Sequence, residues 1–303
     1  MRLKYFKKYL HNIIKDLYFK KYSSLGIDKK IIDANFDEDV INLTSPNNSQ
    51  SAALSNLIMD YHKLDLEVEP YFQSDGLREI VMLHTIADES MEIAAKHFDD
   101  VTKEVINILK MFSSESCLVG GAVRDIIAGY EENDYDFVTD TGYDILTEVF
   151  EMNGFKCIET GLQFLVLNIS KDGMKYEIAN FRKDGTYTDG RRPDSVSIGT
   201  IDDDANRRDF SIGALYYNLK TGHVLDPTGL GLLDLSNKTL CFVGNPENRL
   251  NEDLLRVYRF YRFICKGFKP ESNSLTAVRR HFKCAQKTVA PERVKDELEK
   301  MVL

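Results

Sequence analysis

The chain has 303 residues, of which 43% are hydrophobic and 29% are charged, a composition typical of a globular protein with room for two domains. Its net charge of -9 excludes a protein that coats nucleic acid with its whole surface, although a local basic groove is compatible with it. The cysteines are widely spaced, which disfavours disulfides and zinc sites, and no apolar run approaches the roughly 20 residues that cross a bilayer. We therefore expect a cytoplasmic protein with no membrane partner.

The first 100 residues predict a helical N-terminal extension. Apolar residues recur at helical spacing between Leu3 and Leu17, and lysines cluster around this stripe. The stripe either packs on the body with its lysines in solvent, or presents them to RNA, a partner protein or a membrane surface. Further helical patterns, at residues 54–64 and 77–112, follow a polar loop at residues 43–51.

From residue 117 onward, short apolar runs are separated by turns, which is typical of an α/β core. The predicted strands are residues 117–120, 135–139, 164–169 and 175–181. The predicted helices follow Gly121 and occupy residues 144–152, 252–263, 274–281 and 292–302. The run at residues 210–217 fits a strand or a helix equally well. We expect an α+β protein in which a catalytic core precedes a helical segment.

A double-glycine turn is followed closely by a pair of acids. Gly120 and Gly121 close a strand and open a helix, where bare backbone N–H groups can face a phosphate that Arg124 also reaches. On the next strand, Asp134 and Asp136 share a face through the two-residue period. Neighbouring carboxylates repel each other unless a cation lies between them, and oxygen ligands suit Mg²⁺, with Mn²⁺ as an alternative. An Asp-x-Asp pair alone is common on exposed strands, but this combination predicts a metal-plus-triphosphate site.

Two further groups have both a functional and a structural interpretation. Glu177, on a neighbouring predicted strand, is either a third catalytic carboxylate or an ion-pair partner of Arg182. Arg208 and Asp209 either offer charge to a phosphate and an acceptor to a ribose hydroxyl, or hold their own loop through local ion pairs.

Asp253 and Arg256 are spaced to share one face of a predicted helix. Such a pair is often a surface ion pair. Its functional interpretation is specific, because cytosine and adenine each present an amino donor beside a ring-nitrogen acceptor, which an Asp and an Arg complement. Guanine and uracil present the opposite order, so the pair predicts selection of CTP and ATP.

These ordered motifs resemble those of the class II tRNA nucleotidyltransferase and bacterial poly(A) polymerase superfamily, whose CCA-adding members rebuild the 3′ end of tRNA. The matching stretches are residues 118–125, 134–139, 176–182, 187–193, 207–217, 252–263 and 290–298. The resemblance implies a catalytic head with a small mixed sheet of about five strands at residues 101–230. It also implies a helical neck with a base-selecting motif at residues 231–303, preceded by the extension at residues 1–100.

The resemblance also implies roles for individual residues. Asp134 and Asp136 bind the catalytic metals, Asp209 senses the ribose, and residues 187–192 form a loop that resets the pocket from C to A. The nucleotide-binding set is Gly120, Gly121, Arg124, Arg208, Asp209, Asp253, Arg256 and Arg259. The implied substrates are the 3′ end of tRNA, CTP and ATP.

Three departures from the family pattern bear on this interpretation. Gly213 stands where the family usually has Asn, behind the ribose site. Residues 161–166 resemble the CCA-adding pattern and lack the paired basic residues typical of poly(A) polymerases. The body and tail domains that grip tRNA do not follow the neck, so we expect the extension, a homodimer or a partner protein to replace them. Alternative functions are a poly(A) polymerase, a CC-only or A-only adder, nucleotide transfer to a protein or small molecule, and non-catalytic RNA binding.

Overall fold

The computed structural model describes residues 74–130, 134–161, 165–187 and 193–302. The chain separates into two compact units, Met1–Thr85 and Ile86–Leu303. The stripe predicted at residues 3–17, the helix at residues 54–64 and the loop from residue 188 to 192 lie outside the described residues. Within the described ranges, no helix is both long enough and apolar enough to span a membrane.

Helices and strands alternate along the described chain. The helices are α1 Ser74–His97, α2 Asp100–Phe112, α3 Gly121–Ile127, α4 Tyr143–Met152, α5 Ile201–Asn206, α6 Gly231–Ser236, α7 Pro246–Glu252, α8 Arg256–Cys265, α9 Ser272–Thr288 and α10 Pro291–Val302. The strands are β1 Ser116–Val119, β2 Asp136–Thr139, β3 Lys156–Gly161, β4 Val166–Lys171, β5 Met174–Asn180, β6 Arg182–Asp184, β7 Val196–Ile198, β8 Tyr216–Asn218, β9 His223–Leu225, β10 Thr239–Leu240 and β11 Lys269–Pro270.

One seven-stranded sheet organises the second unit, in the order β3-β4-β5-β2-β1-β8-β9. β2 and β5 are parallel and the other neighbours are antiparallel, so the expected mixed sheet and α+β class are confirmed. The sheet has seven strands rather than about five, partly because the hairpin β8–β9 extends it beyond β1. The predicted strands correspond to β1, β2, β4 and β5.

Helices α2 and α4 cover one face of this sheet. The Thr102 Oγ1 atom of α2 lies 2.8 Å from the Tyr176 hydroxyl of β5, and α4 contacts β3 and β4. Tyr135 and Phe137 alternate onto the covered face and are buried, with Tyr135 packed edge-on against Phe98 at 5.0 Å. The two-residue period therefore turns the intervening side chains of this segment to the opposite face.

The opposite face carries an apolar cluster and two of the predicted catalytic acids. Val119, Val138 and Ala179 are buried in this cluster. Asp136 lies two residues before Val138 and Glu177 lies two residues before Ala179, so both acids share this face. The parallel register of β2 and β5 pairs Asp136 directly with Glu177. The fold thus brings two carboxylates from distant stretches to neighbouring positions.

The segment expected to be helical at residues 77–112 consists of two helices. α1 ends at His97 and α2 begins at Asp100. Between them, Asp99 has an extended backbone and its carboxylate accepts a 2.8 Å hydrogen bond from the Thr102 amide. Such an N-cap starts a new helix, because it satisfies an amide that has no intrahelical partner.

The apolar run at residues 210–217 is neither one helix nor one strand. Phe210 forms an isolated bridge with Phe242, Ser211–Gly213 is a 3₁₀ turn, and β8 begins at Tyr216. The rings of Phe210 and Phe242 lie 4.8 Å apart, so the run is apolar because it crosses the core between elements.

A prediction for stability follows from Gly231, the first residue of α6. A Cβ atom there would lie 2.7 Å from both the Ser211 carbonyl oxygen and the Leu215 Cδ2 atom. Gly231→Ala is therefore expected to lower the free energy of unfolding by about 1–3 kcal/mol, measured by urea denaturation. Gly142→Ala is the matched control, since its Cβ would meet nothing within 4 Å. Equal stability of the two variants would contradict the close packing at Gly231.

Candidate nucleotide-binding site

A cavity of about 510 Å³ lies between the glycine turn after β1 and the helices α8 and α10. Eight cationic side chains and four carboxylates line it, so its wall is positive although the chain has a net charge of -9. The cations are Arg124, Arg182, Arg207, Arg208, Arg256, Arg259, Arg262 and Lys300. The carboxylates are Asp184, Asp209, Asp253 and Glu297. A positive concave wall of this kind concentrates anions.

The structure brings one group of predicted site residues together in this cavity. All members of the predicted nucleotide-binding set line it: Gly120, Gly121, Arg124, Arg208, Asp209, Asp253, Arg256 and Arg259. The predicted catalytic acids Asp134, Asp136 and Glu177 are exposed and lie outside its lining. Asp136 lies next to the glycine turn, because the register pairs it with Val119, the residue before that turn, and Glu177 is its partner on β5.

The glycine turn has a backbone that other residues rarely adopt. Gly120 has a φ of 74° and a ψ of -123°, and a Cβ there would lie 3.3 Å from the Arg208 Nη1 atom. Its own amide donates to the Leu215 carbonyl at 3.1 Å, so it is not available to a phosphate. The turn therefore serves mainly to bring the start of α3 and its Arg124 close to Arg208.

The predicted metal acids have the right donor chemistry for a hard cation. Asp136 and Glu177 occupy paired positions on neighbouring strands, and like charges placed in this way repel each other. Carboxylate oxygens are ligands that Mg²⁺ and Mn²⁺ accept. In the described part of the chain, however, no cluster of three or more His, Cys, Asp or Glu residues could hold a metal ion. Metal binding by Asp134 and Asp136, and a third acid at Glu177, stay predictions.

Asp209 joins the segment that follows α5 to helix α8. Its carboxylate accepts from Arg256 Nε at 2.6 Å and from Arg259 Nη1 at 2.5 Å. Burial by itself raises the pKa of this carboxyl, but the charges of Arg259 and Arg256 outweigh burial and lower the pKa to about 2. Asp209 is therefore ionised at neutral pH, and both of its oxygens hold arginines of α8.

Arg256 is almost entirely occupied by protein contacts. It is 5% exposed and donates through Nη1 to Glu252 at 2.6 Å and through Nη2 to the Arg207 carbonyl at 3.2 Å, in addition to its bond to Asp209. Nη2 carries a second N–H beyond the one that Arg207 accepts. One N–H donor on Nη2 is thus available to a ligand, and the protein contacts hold its guanidinium group in place.

The expectation that Asp253 and Arg256 share a helix was wrong. α7 ends at Glu252, Asp253 has an extended backbone with a φ of -151°, and α8 begins at Arg256. The chain turns here because the Asp253 carboxylate accepts from the Leu255 amide at 2.9 Å and from Arg293 Nη2 at 2.8 Å. The two side chains still line the same cavity, so the turn between α7 and α8, rather than helical spacing, brings them together.

Asp204 orients the two arginines that precede Asp209. This fully buried carboxylate accepts from Arg207 Nη2 at 2.6 Å, from Arg208 Nη2 at 2.9 Å and from the Tyr216 hydroxyl at 2.7 Å. Burial raises its pKa, but the charges of Arg208 and Arg207 prevail and lower the pKa below the ordinary value. Asp204 was missed in the sequence analysis, although its spacing to Arg207 and Arg208 is that of helical ion pairs.

Comparison with known proteins supports the motif-based interpretation. Residues 116–241 match the family model described as the Poly A polymerase head domain. These residues form a poly(A) polymerase head domain. The chain is 34% identical over 205 residues to a CCA-adding enzyme of Levilactobacillus brevis, covering 67% of this chain and 50% of that protein. It thus spans about half the length of the curated relatives it matches.

Solved structures of similar fold are bound to nucleotide or RNA. One is the Bacillus stearothermophilus CCA-adding enzyme in complex with CTP, 26% identical, with a TM-score of 0.58 over 67% of this chain and 49% of that one. Another is a tRNA nucleotidyltransferase complexed with a primer tRNA and an incoming ATP analog. It is 25% identical, with a TM-score of 0.50 over 61% of this chain and 52% of that one.

Two further residues, Phe263 and Glu297, line the cavity and were not predicted as site residues. The Phe263 ring lies under the guanidinium groups of Arg124 and Arg262, with distances of 5.0 and 5.1 Å to its centroid. Glu297 of α10 is 4% exposed and pairs with Arg259 at 3.3 Å and Arg262 at 2.8 Å. The contact of Phe263 with Arg124 and the ion pairs of Glu297 join residues remote in sequence, so no local pattern indicates them.

Gly213 leaves open space in the cavity wall of the head domain. A Cβ at this position would meet nothing within 4 Å, and Gly213 lines the cavity. With Gly in place of the Asn usual in the family, Asp209 still forms its ion pairs with Arg256 and Arg259. It enlarges the cavity beside Gly120.

A pH prediction follows from Asp209. Because its folded-state pKa of about 2 lies below the ordinary value of 3.8, ionised Asp209 stabilises the fold above pH 4 and this contribution disappears as pH falls towards 2. The expected loss of unfolding free energy is on the order of 2 kcal/mol, measured by urea denaturation at successive pH values.

Asp209→Asn should be less stable at neutral pH and should lack this part of the pH dependence. Asp172→Asn removes an exposed acid instead and should keep the pH dependence of the wild type. If Asp209→Asn and the wild type lose stability in parallel below pH 4, the ion pairs of Asp209 do not carry the effect.

Proposed function

We propose that this chain is a template-independent RNA nucleotidyltransferase that adds C and A to the 3′ end of tRNA. The substrates are CTP, ATP and a tRNA primer, and pyrophosphate is released. The head, residues 101–230, binds the triphosphate and the primer end, and the neck, residues 231–303, selects the base. The proposal draws support from relatives that are named CCA-adding enzymes and cover two thirds of this chain.

The observation that carries the proposal is the cationic cavity. Eight cations face four carboxylates in a chain whose net charge is -9, so the positive charge is concentrated rather than general. A nucleoside triphosphate is a compact polyanion that suits such a wall. Most of the arginines are already oriented by carboxylates, among them Arg208 by Asp204 and Arg259 by Asp209, so binding requires little reorganisation.

Divalent cations, with Mg²⁺ proposed and Mn²⁺ as a substitute, would be held by Asp134 and Asp136. When bound, such a cation supplies charge that neutralises the transferring phosphate and favours ionisation of the attacking hydroxyl. The protein's own contribution is to place the acids. β2 begins at Asp136, which the strand register pairs with Val119, the residue before the glycine turn that leads to Arg124. Glu177, paired with Asp136 across the sheet, is proposed as a further acid at the primer end.

Base selection is proposed for Asp253 and Arg256. Arg256 has one N–H left on Nη2, and the Asp253 carboxylate keeps lone pairs beyond those used by Leu255 and Arg293. An acceptor and a donor side by side complement the base edges of cytosine and adenine. Guanine and uracil would place acceptor against acceptor, which is repulsive.

A primer-extension experiment tests the catalytic proposal. A tRNA that lacks its terminal CCA is incubated with each nucleoside triphosphate singly and with CTP plus ATP, in Mg²⁺ or Mn²⁺, and is resolved on a denaturing gel. We expect C-dependent extension completed by A. Asp136→Asn should slow extension by about 10²-fold or more, since charge stabilisation by a bound metal is worth several kcal/mol.

Glu148→Gln is the matched control, because Glu148 is an exposed acid of α4, which packs on the other side of the sheet. It should extend the primer at the wild-type rate. A product ladder of A alone would instead identify a poly(A) polymerase, which the match to the Poly A polymerase head domain favours as the second candidate. Absence of extension under every metal and nucleotide condition would refute a nucleotidyltransferase.

Substitution of Asp253 tests base selection separately. Asp253→Ala removes the acceptor that faces the base amino group, so the preference for CTP over UTP should fall by roughly 10- to 100-fold, the range for one base-edge contact. The measurement is the ratio of kcat/KM for the two nucleotides. Arg280→Ala, at an exposed position of α9, should keep the preference. An unchanged preference in Asp253→Ala would remove Asp253 from base recognition.

A further inference from the structure

Helix α9 is the most one-sided charged element in the described part of the chain. Its residues, Ser272–Thr288, include two arginines and two lysines and no Asp or Glu, although the whole chain has 48 acids and 39 lysines and arginines. The helix therefore carries four positive charges and no acid of its own to offset them. The cations are Arg279, Arg280, Lys283 and Lys287.

The cations lie on the exposed side of α9, and the opposite side packs on the neck. Ala277, Val278 and Ala285 are buried, whereas Arg279 and Lys283 are exposed. Arg279, Lys283 and Lys287 follow one another at intervals of four residues, so they form a row along one side of the helix with steps of about 6 Å. We call Arg279, Lys283 and Lys287 the α9 strip.

The α9 strip has no counter-charge within its own helix. Lys96 pairs with Glu92 at 3.2 Å and Lys295 pairs with Glu299 at 3.5 Å, each within its own helix. The three members of the strip form no ion pair with any residue that the structure describes, whereas the neighbouring Arg280 pairs with Glu247 at 3.2 Å. A row of unneutralised cations repels itself, and a polyanion relieves that repulsion.

The strip lies one helix away from the cavity. α9 packs on α8, with Tyr261 and Phe282 in edge-on contact at 5.9 Å, and α8 lines the cavity through Arg256 and Arg259. The exposed surface of α9 carries no large apolar side chain, which a helix lying in a membrane surface requires. Its chemistry fits a phosphate backbone that is read without regard to sequence.

We propose that the α9 strip docks the phosphate backbone of the RNA whose 3′ end occupies the cavity. This inference rests on the proposed function in that the RNA is the primer. The strip lies outside the cavity, so the residues that hold the RNA are separate from those that bind the nucleotide and carry out the reaction. Sequence-independent contact of this kind positions a substrate and leaves base choice to the cavity.

The test compares RNA binding by the full chain and two variants. Arg279→Gln, Lys283→Gln and Lys287→Gln are combined in the strip variant. Lys103→Gln, Lys110→Gln and Lys175→Gln are combined in the control variant, which loses the same charge from exposed positions elsewhere. Binding of a fluorescent tRNA that lacks CCA is measured by anisotropy between about 50 and 200 mM salt.

The strip variant should bind at least tenfold more weakly at low salt, and the slope of log Kd against log salt should fall by roughly 2–3. The control variant should stay within twofold of the wild type. In the extension assay, the strip variant should raise KM for tRNA and leave KM for CTP unchanged, because the strip lies outside the cavity.

Equal affinity and salt slope in the two variants would overturn the proposal, as would failure of the wild type to bind tRNA. Strip-dependent binding to phosphatidylcholine–phosphatidylserine vesicles with unaltered tRNA affinity would overturn it too, in favour of a membrane surface.

The proposed function and the proposed role of the α9 strip can fail separately. A wild type that binds tRNA through the strip but adds no nucleotide would refute the proposed function alone, and extension with an unaltered KM for tRNA would refute the strip alone.

Discussion

The carboxylate of Asp209 is the contact on which the architecture of the cavity depends. It belongs to the segment that follows α5, yet its oxygens hold Arg256 and Arg259 at the start of α8. Removal of one partner from a buried ion pair costs about 3–5 kcal/mol, because the remaining charge is left without compensation. Here a single acid compensates two cations, so the position of α8 relative to the segment that follows α5 is fixed by electrostatics as well as by packing.

The same rule, an acid that orients arginines towards the cavity, recurs around its wall. Asp204 serves Arg207 and Arg208, and Glu297 serves Arg259 and Arg262. Each acid offsets part of the positive charge, reduces the repulsion between neighbouring guanidinium groups and holds them in place. The cavity therefore keeps an excess of cations in fixed positions, which is the electrostatic condition for binding a polyanion without reorganisation.

The errors of sequence-based interpretation have a common physical cause. The helical pattern across residues 77–112 continues through Asp99, and that across residues 252–263 continues through Asp253. In both places an Asp side chain accepts backbone amides ahead of it and ends the helical register. Apolar periodicity reports which face is buried, but it does not report whether a short polar side chain will turn back to the backbone.

The sequence by itself determined the composition of the site: a glycine turn, nearby acids, and arginines at recognisable spacings, all of which depend on local geometry. It also determined the short strands, since they appear in the sequence as short apolar runs separated by turns. Only the tertiary structure decided which charges meet. Glu297 reaches Arg259, Phe263 underlies Arg124, and Asp136 faces Glu177. Such pairings join residues far apart in the chain, and their energies arise from packing and strand register that no local pattern encodes.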